Sequence, residues 1–253
     1  MKRLMILAAM VFAALGLAGV ATAETQSTID FSSPYAVGNI NTQQGWSNSG
    51  GYDANVALVS SFTAASGYGF GDQALQISNA KTSGSFGDQT FAPLLGTGAA
   101  AGTALQHFNA SFSIGTTQST PQAGLSISVS PDNGQGARMS YLRFDDQTNG
   151  VHVYFDQAKG ATFVESDIAT LTRGAAHTVE LSIDFTAATN HQVTITIDGK
   201  VAAVGSTWAS YYQKTEHNPL SPVRTMLFRA GGTAAPSLAG RGYLIDNLTY
   251  ASS

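Results

Sequence analysis

Apolar and polar residues alternate with period two along much of this chain, the pattern that puts every second side chain on one face of an extended strand. The clearest run is 177–185. Val179, Leu181, Ile183 and Phe185 share one face, and Thr178, Glu180, Ser182 and Asp184 take the other. From His191 to Lys200, Val193, Ile195 and Ile197 point one way, and Thr194 and Thr196 the other. Asp198-Gly199 then predicts a tight hairpin turn, because Gly reaches positive φ without steric cost, and Val201–Val204 returns. Further strands are predicted over Thr28–Phe31, Leu75–Asn79, His107–Ile114, Leu125–Ser130, Arg138–Phe144, Val151–Asp156, Thr225–Ala230 and Tyr243–Tyr250. The only helical expectation is one short turn over 207–212. Roughly ten strands, each with one apolar face, predict an all-β fold of two packed antiparallel sheets.

The first 23 residues break this pattern. Lys2 and Arg3 form a positive n-region, Leu4–Val20 is apolar, and Ala21-Thr22-Ala23 is an A-x-A cleavage signal before the polar Glu24-Thr25-Gln26. All three parts of a secretory signal peptide occur in order. The expected organisation is a leader over 1–23 and one β-sandwich domain over 24–253. After cleavage no stretch is apolar enough to span a bilayer as a helix, so a secreted or periplasmic protein of bacterial origin is expected.

Composition narrows the function. The 253 residues carry 12 Lys plus Arg against 16 Asp plus Glu, a net charge of −4 that becomes −6 once Lys2 and Arg3 are removed. So few basic residues argue against a nucleic-acid partner, which needs a Lys/Arg-rich face. The absence of cysteine excludes disulfides, a thiol nucleophile and Cys-ligated zinc. His107, His152, His177, His191 and His217 show no metal-ligand spacing, and no G-x-S-x-G or P-loop occurs.

Four segments together resemble the concanavalin A-like (laminin G-like) jelly rolls: Tyr141-Leu-Arg-Phe144, the 195–200 hairpin, Leu227-Phe-Arg229, and the final Gly242–Leu248. Gly38–Trp46 and Ile77–Gln89 are similar to segments of a group of exported bacterial proteins of that fold. The resemblance spans most of 27–250 and implies a two-sheet antiparallel jelly-roll sandwich. Lectins, carbohydrate-binding modules, glycoside hydrolases and polysaccharide lyases are all built on it, so it implies a carbohydrate partner rather than one activity. The retaining-glucanase pattern Glu-x-Asp-x-Glu is approached by Glu165-Ser-Asp167-Ile-Ala169, where Ala replaces the third carboxylate. The alginate-lyase Gln-x-His and Tyr-rich strands are not found in their expected form.

The residues themselves point to one candidate face. Pairing Phe144 with Val151 in the hairpin around Asn149-Gly150 sets Leu142 against Val153 on an apolar face. The same register puts Arg143 opposite His152 and Tyr141 opposite Tyr154, about 5 Å apart across the strands. Tyr rings offer sugar C–H groups an apolar surface and a hydroxyl partner, and an Arg fork matches a carboxylate or sulfate. In a lyase acting on a uronate polymer, Arg143 would neutralise the carboxylate and Tyr141, Tyr154 or His152 would take the α-proton. The alternative is an ordinary solvent-facing sheet surface. Asp88 and Gln89, on a loop after Gly84–Gly87, and Arg229 are expected at the edge of the same face. The sequence thus predicts a monomer that recognises a polysaccharide or oligosaccharide, acidic in one version. A polysaccharide lyase or glycoside hydrolase and a structural surface or matrix protein are the alternatives.

No cofactor is implied. Asp145-Asp146 and Pro131–Gly134 are oxygen-rich turns that Ca²⁺ could use, but neither completes a Ca²⁺ loop. Of the two tryptophans, Trp208 reads as core, whereas Trp46, in a Gly/Asn/Ser-rich segment, reads as the more open one. Tyr211 and Tyr212 are read as a groove rim or as anchors of the short turn.

Overall fold

The computed structural model describes residues 24–82, 89–96, 106–136, 140–160, 162–187, 191–215, 223–230 and 232–253, with backbone only for 24–27 and 212–215. The expected leader and the candidate Asp88 lie outside the described residues. In chain order the strands are β1 (Glu24–Ile29), β2 (Gly38–Asn39), β3 (Ser47–Ser49), β4 (Asp53–Leu58), β5 (Gln73–Ser78), β6 (Gln89–Phe91), β7 (His107–Thr116) and β8 (Ser126–Asp132). They continue as β9 (Tyr141–Gln147), β10 (Gly150–Lys159), β11 (Thr162–Leu171), β12 (His177–Asp184), β13 (Gln192–Ile197), β14 (Lys200–Ser206), β15 (Thr225–Ala230) and β16 (Tyr243–Ser252). One helix, α1 (Trp208–Thr215), lies between β14 and β15.

These strands form two antiparallel sheets, a jelly-roll β-sandwich. The nine-stranded sheet runs β14-β13-β12-β7-β16-β5-β4-β2, with β1 also paired to β16; the seven-stranded sheet runs β11-β10-β9-β8-β15-β6-β3. The period-two apolar faces meet between them. Phe108, Phe112 and Ile114 of β7, Val179, Leu181 and Ile183 of β12, and Val193 and Ile195 of β13 are buried from one side. Leu142, Phe144, Val151, Val153, Phe155, Met226 and Phe228 are buried from the other. Phe112 and Phe144 meet edge-on across the sandwich at 6.3 Å. Each such side chain taken from water contributes on the order of 1.5–3 kcal/mol, which is what selects this face in every strand. The Asp198-Gly199 turn has φ of 50° and 73°, as its sequence predicts.

Several expectations change. Trp46 is buried to 1% exposure, packed between Phe31 and Phe228, with its indole N–H donated to the Tyr35 hydroxyl. Trp208 is the less buried tryptophan, partly exposed. The helix is longer than one turn, and Thr207 caps its start: its Oγ1 accepts the Ser210 N–H at 3.0 Å. Strands β2, β3, β4, β6 and β11 were not expected. β11 escapes pattern reading because it is the edge strand of its sheet, with charged residues at 165 and 167 and only Leu171 fully buried.

The β9–β10 register differs from the expected one by two residues. The turn is tighter, with Gln147 opposite Gly150, so Val153 faces Phe144 and Phe155 faces Leu142. A two-residue slip keeps every side chain on its expected face but changes its partner: Arg143 lies opposite Tyr154, not His152, and Tyr141 lies opposite Asp156, not Tyr154.

Candidate functional site

The outer face of the seven-stranded sheet carries the candidate residues. Strand register aligns Asp167, Tyr154, Arg143, Ser128, Arg229, Gln89 and Ser49 in one continuous row across β11, β10, β9, β8, β15, β6 and β3. The row thus brings together four candidates. Gln89 is not on a loop; it opens β6 and is buried within the row. Its amide lies under Gly136, where a Cβ would sit 3.3 Å from Oε1. His152 lies one step along β10 from the row, opposite Asp145, and Tyr141 one step along β9, opposite Asp156.

A bulge decides what faces them. Val153 pairs with Ala169 but Tyr154 pairs with Asp167, so Ile168 is an extra residue in β11. Ile168 packs partly against the core. Beyond it the alternation is reset, and Phe163, Glu165 and Asp167 come to the outer face opposite Ala158, Asp156 and Tyr154.

These carboxylates occupy the expected sugar-binding cation. Arg143 Nε donates to Glu165 Oε1 at 2.8 Å and Nη2 donates to Oε2 at 2.6 Å, while Nη1 donates to Asp145 Oδ2. The guanidinium also lies 4.2 Å over the centre of the Tyr154 ring. Hydrogen bonding to Glu165 holds it still further above its ordinary pKa. An arginine with a carboxylate already on its fork is no open clamp for a ligand carboxylate, which corrects the role expected of Arg143. His152 is engaged at both ring nitrogens, Nδ1 with Asp167 Oδ2 at 2.6 Å and Nε2 with Asn149 Oδ1 at 2.9 Å. The Tyr154 hydroxyl accepts from Gln147 Nε2 at 2.8 Å. Burial first, and then the adjacent Asp156, push the Tyr141 phenol well up from its ordinary pKa.

Beside the row, Ser126, Ser128, Tyr141, Arg143, Arg229 and Gly232 line a pocket of about 280 Å³. At its Tyr141 end the face is walled by aromatic rings. Tyr141 meets Trp208 edge-on at 5.2 Å, and Trp208 donates its indole N–H to Asp156 Oδ1 at 2.8 Å. Trp208, Asp156, Glu165 and Asp167 are therefore the parts of this site that pattern reading missed. The alternation of Phe163, Glu165 and Asp167 was a signal for them, but only the bulge tells which face it addresses.

Each oxygen-rich turn engages carboxylate oxygens within the protein. Asp132 Oδ1 accepts the N–H groups of Gly134, Gln135 and Gly136, and Asp146 is bridged to Arg173 by Nε at 2.7 Å and Nη2 at 2.5 Å. Among the described residues no three His, Cys, Asp or Glu side chains gather as a metal would require.

No protein-family model matches the chain. No curated protein matches it either. Solved structures do. A mutant of the alginate lyase Aly36B in complex with alginate tetrasaccharide is 14% identical, with 90% of this chain and 96% of that chain covered and a TM-score of 0.50. The endo-β-1,4-glucuronan lyase of the fungus Trichoderma reesei is 16% identical over 86% of this chain and 94% of that chain, at a TM-score of 0.47. Sheep galectin-11 is 10% identical over 59% of this chain and 93% of that chain, at 0.37. The first of these likenesses establishes the shared jelly-roll fold.

Proposed function

We propose that this is an exported monomeric protein, secreted or periplasmic after loss of its leader, that binds a polysaccharide on the outer face of the seven-stranded sheet. The observation that carries the reading is the row from Asp167 to Ser49 with the pocket of Tyr141, Arg143 and Arg229 beside it. It combines aromatic surface, guanidinium and amide donors, hydroxyls and carboxylate acceptors along one row, each member one strand from the next, the set a pyranose with its C–H faces and hydroxyls needs. The fold is compatible, since an alginate lyase is built on it. Asp145, Asp156, Glu165 and Asp167 outnumber Arg143 and Arg229 on this face, and that balance favours a hydroxyl-rich neutral chain over a polyanion. Any acidic group would seat at the Arg229 end of the pocket, away from Glu165.

The test is co-sedimentation of the purified protein with a panel of neutral and acidic polysaccharides, while absorbance at about 235 nm and reducing ends are followed. Retention on one polymer without either signal supports binding. Arg229→Ala should then abolish retention while the circular dichroism spectrum is kept; unchanged retention removes this face from consideration. Rising absorbance would make the protein a lyase. New reducing ends alone would make it a hydrolase. No retention on any polymer would leave the structural-protein reading.

A further inference from the structure

We infer that the glycan site continues beyond the pocket onto an aromatic track, Tyr141–Trp208–Phe163–Tyr211, that leads to the β11 edge and takes further sugar units of the same chain. This rests on the proposed glycan-binding reading. The rings follow one another at centroid distances of 5.2, 5.1 and 4.8 Å, each next to the last and each tilted or edge-on to it. They come from three distant stretches of chain: β9, the capped helix α1, and β11. Tyr141 lines the pocket itself, so the track is continuous with it. Phe163 keeps 41% exposure although it belongs to an aromatic cluster.

Burial does not account for that exposure. Phe163 sits on the outer face of β11, opposite Ala158, and owes this placement to the Ile168 bulge that also presents Glu165 and Asp167. A large apolar ring held at a sheet edge beside two further partly exposed rings is a surface of the kind that packs on sugar C–H faces. Trp208 is held in place by its N–H bond to Asp156, so its ring orientation is set before any ligand arrives. The carboxylates beside the track are already engaged, Asp156 by the Trp208 indole N–H and Glu165 by the Arg143 fork, so what the track offers a sugar is ring surface. The consequence is a preference for long chains over mono- and disaccharides, with the bound chain leaving the sheet over α1.

Trp208 makes the track observable. The chain has two tryptophans, and Trp46 is 1% exposed inside the sandwich, so ligand-dependent emission reports on Trp208. The experiment is fluorescence titration and acrylamide quenching with cellobiose and cellohexaose, and with alginate disaccharide and hexasaccharide. A hexasaccharide is expected to shield Trp208 and to bind at least tenfold more tightly than its disaccharide. Phe163→Ala and Tyr211→Ala should weaken the hexasaccharide about tenfold and leave the disaccharide unchanged. Phe163→Leu, which keeps apolar bulk against Trp208 but removes the ring, should behave as Phe163→Ala, with both variants melting within a few degrees of the parent. If the parent binds either hexasaccharide and the three variants bind it equally well, the track is overturned while the pocket reading stands. If the parent binds none of the four sugars although it sediments with a polymer, the track is likewise overturned. If it neither binds these sugars nor sediments with any polymer, the glycan-binding reading itself falls and the track with it.

Discussion

Arg143 and Glu165 are joined by two parallel hydrogen bonds, 2.8 Å and 2.6 Å long, that cross the whole width of β10. The two residues do not pair in the sheet: Arg143 faces Tyr154 and Glu165 faces Asp156. They meet diagonally, over the Tyr154 ring. This fork joins the edge strand β11 to the centre of the candidate site and sets where the Arg143 guanidinium points.

Removing one partner is therefore not equivalent to removing the other. Arg143→Ala leaves Glu165 and Asp145 without the cation they share, whereas Glu165→Gln leaves Arg143 its bond to Asp145. Arg143→Ala should cost more stability, and adding Glu165→Gln to it should recover part of the loss. The coupling of the pair, measured by denaturant unfolding of the full mutant cycle, should be about 0.5–1 kcal/mol, as for a partly exposed bidentate pair. Additive effects would show that the fork is not held in solution.

The two tryptophans should separate stability from binding. Trp46→Ala removes a fully buried indole between Phe31 and Phe228 and should cost about 3–5 kcal/mol in thermal or urea unfolding. Trp46→Phe should keep glycan retention. Trp208→Ala should cost less stability and lower retention. Equal stability losses at the two sites would contradict the burial seen here.

Asp246 predicts a pH dependence. Its carboxyl is buried, with Oδ2 accepting the Gly71 N–H at 3.0 Å and Oδ1 without a hydrogen-bond partner among the described residues, and burial pushes its pKa up to about 6 from an ordinary 3.8. The folded state thus holds this proton where the unfolded chain has released it. The contribution of Asp246 to stability is most favourable below about pH 4 and falls as pH rises to about 6. Asp246→Asn should melt close to the parent at pH 4 and above it at pH 7.5, by calorimetry at both pH values. A constant difference between the two would refute the shift.

Two glycines with positive φ should respond differently to alanine. At Gly199 (φ 73°) an added Cβ meets nothing within 4 Å, so Gly199→Ala should cost only the backbone strain, about 1 kcal/mol. At Gly242 (φ 102°) it would overlap the Ile77 carbonyl and approach Ser78 Cβ to 2.8 Å, both fixed parts of β5. Gly242→Ala should lower the melting temperature several times more, or prevent folding. Comparable melting curves would contradict the close approach of β16 to β5.

The sandwich was legible in the sequence because its determinant is local. Alternation at 177–185 and 191–200 decides which side of each strand is apolar, and burying that side decides the layers. The same rule placed Tyr141, Arg143, His152, Tyr154 and Arg229 on one outer face, since a strand cannot turn one of these outward without the others that share its parity. Their partners were not legible. A register two residues away from the expected one moved Arg143 from His152 to Tyr154, and one extra residue, Ile168, turned Glu165 and Asp167 toward Arg143 and His152. Both shifts leave the hydrophobic pattern of β9 and β10 unchanged, so no period in the chain records them. Trp46 and Trp208 exchanged their expected places for a related reason: composition around a tryptophan reports its local chain, while its burial depends on whether Phe31 and Phe228 or Tyr141 and Phe163 arrive beside it. The sequence by itself determined most of the core strands and their faces through short-range periodicity. Only the tertiary structure decided register, bulge and ring contacts, because these depend on which distant strands pair and how tightly they pack.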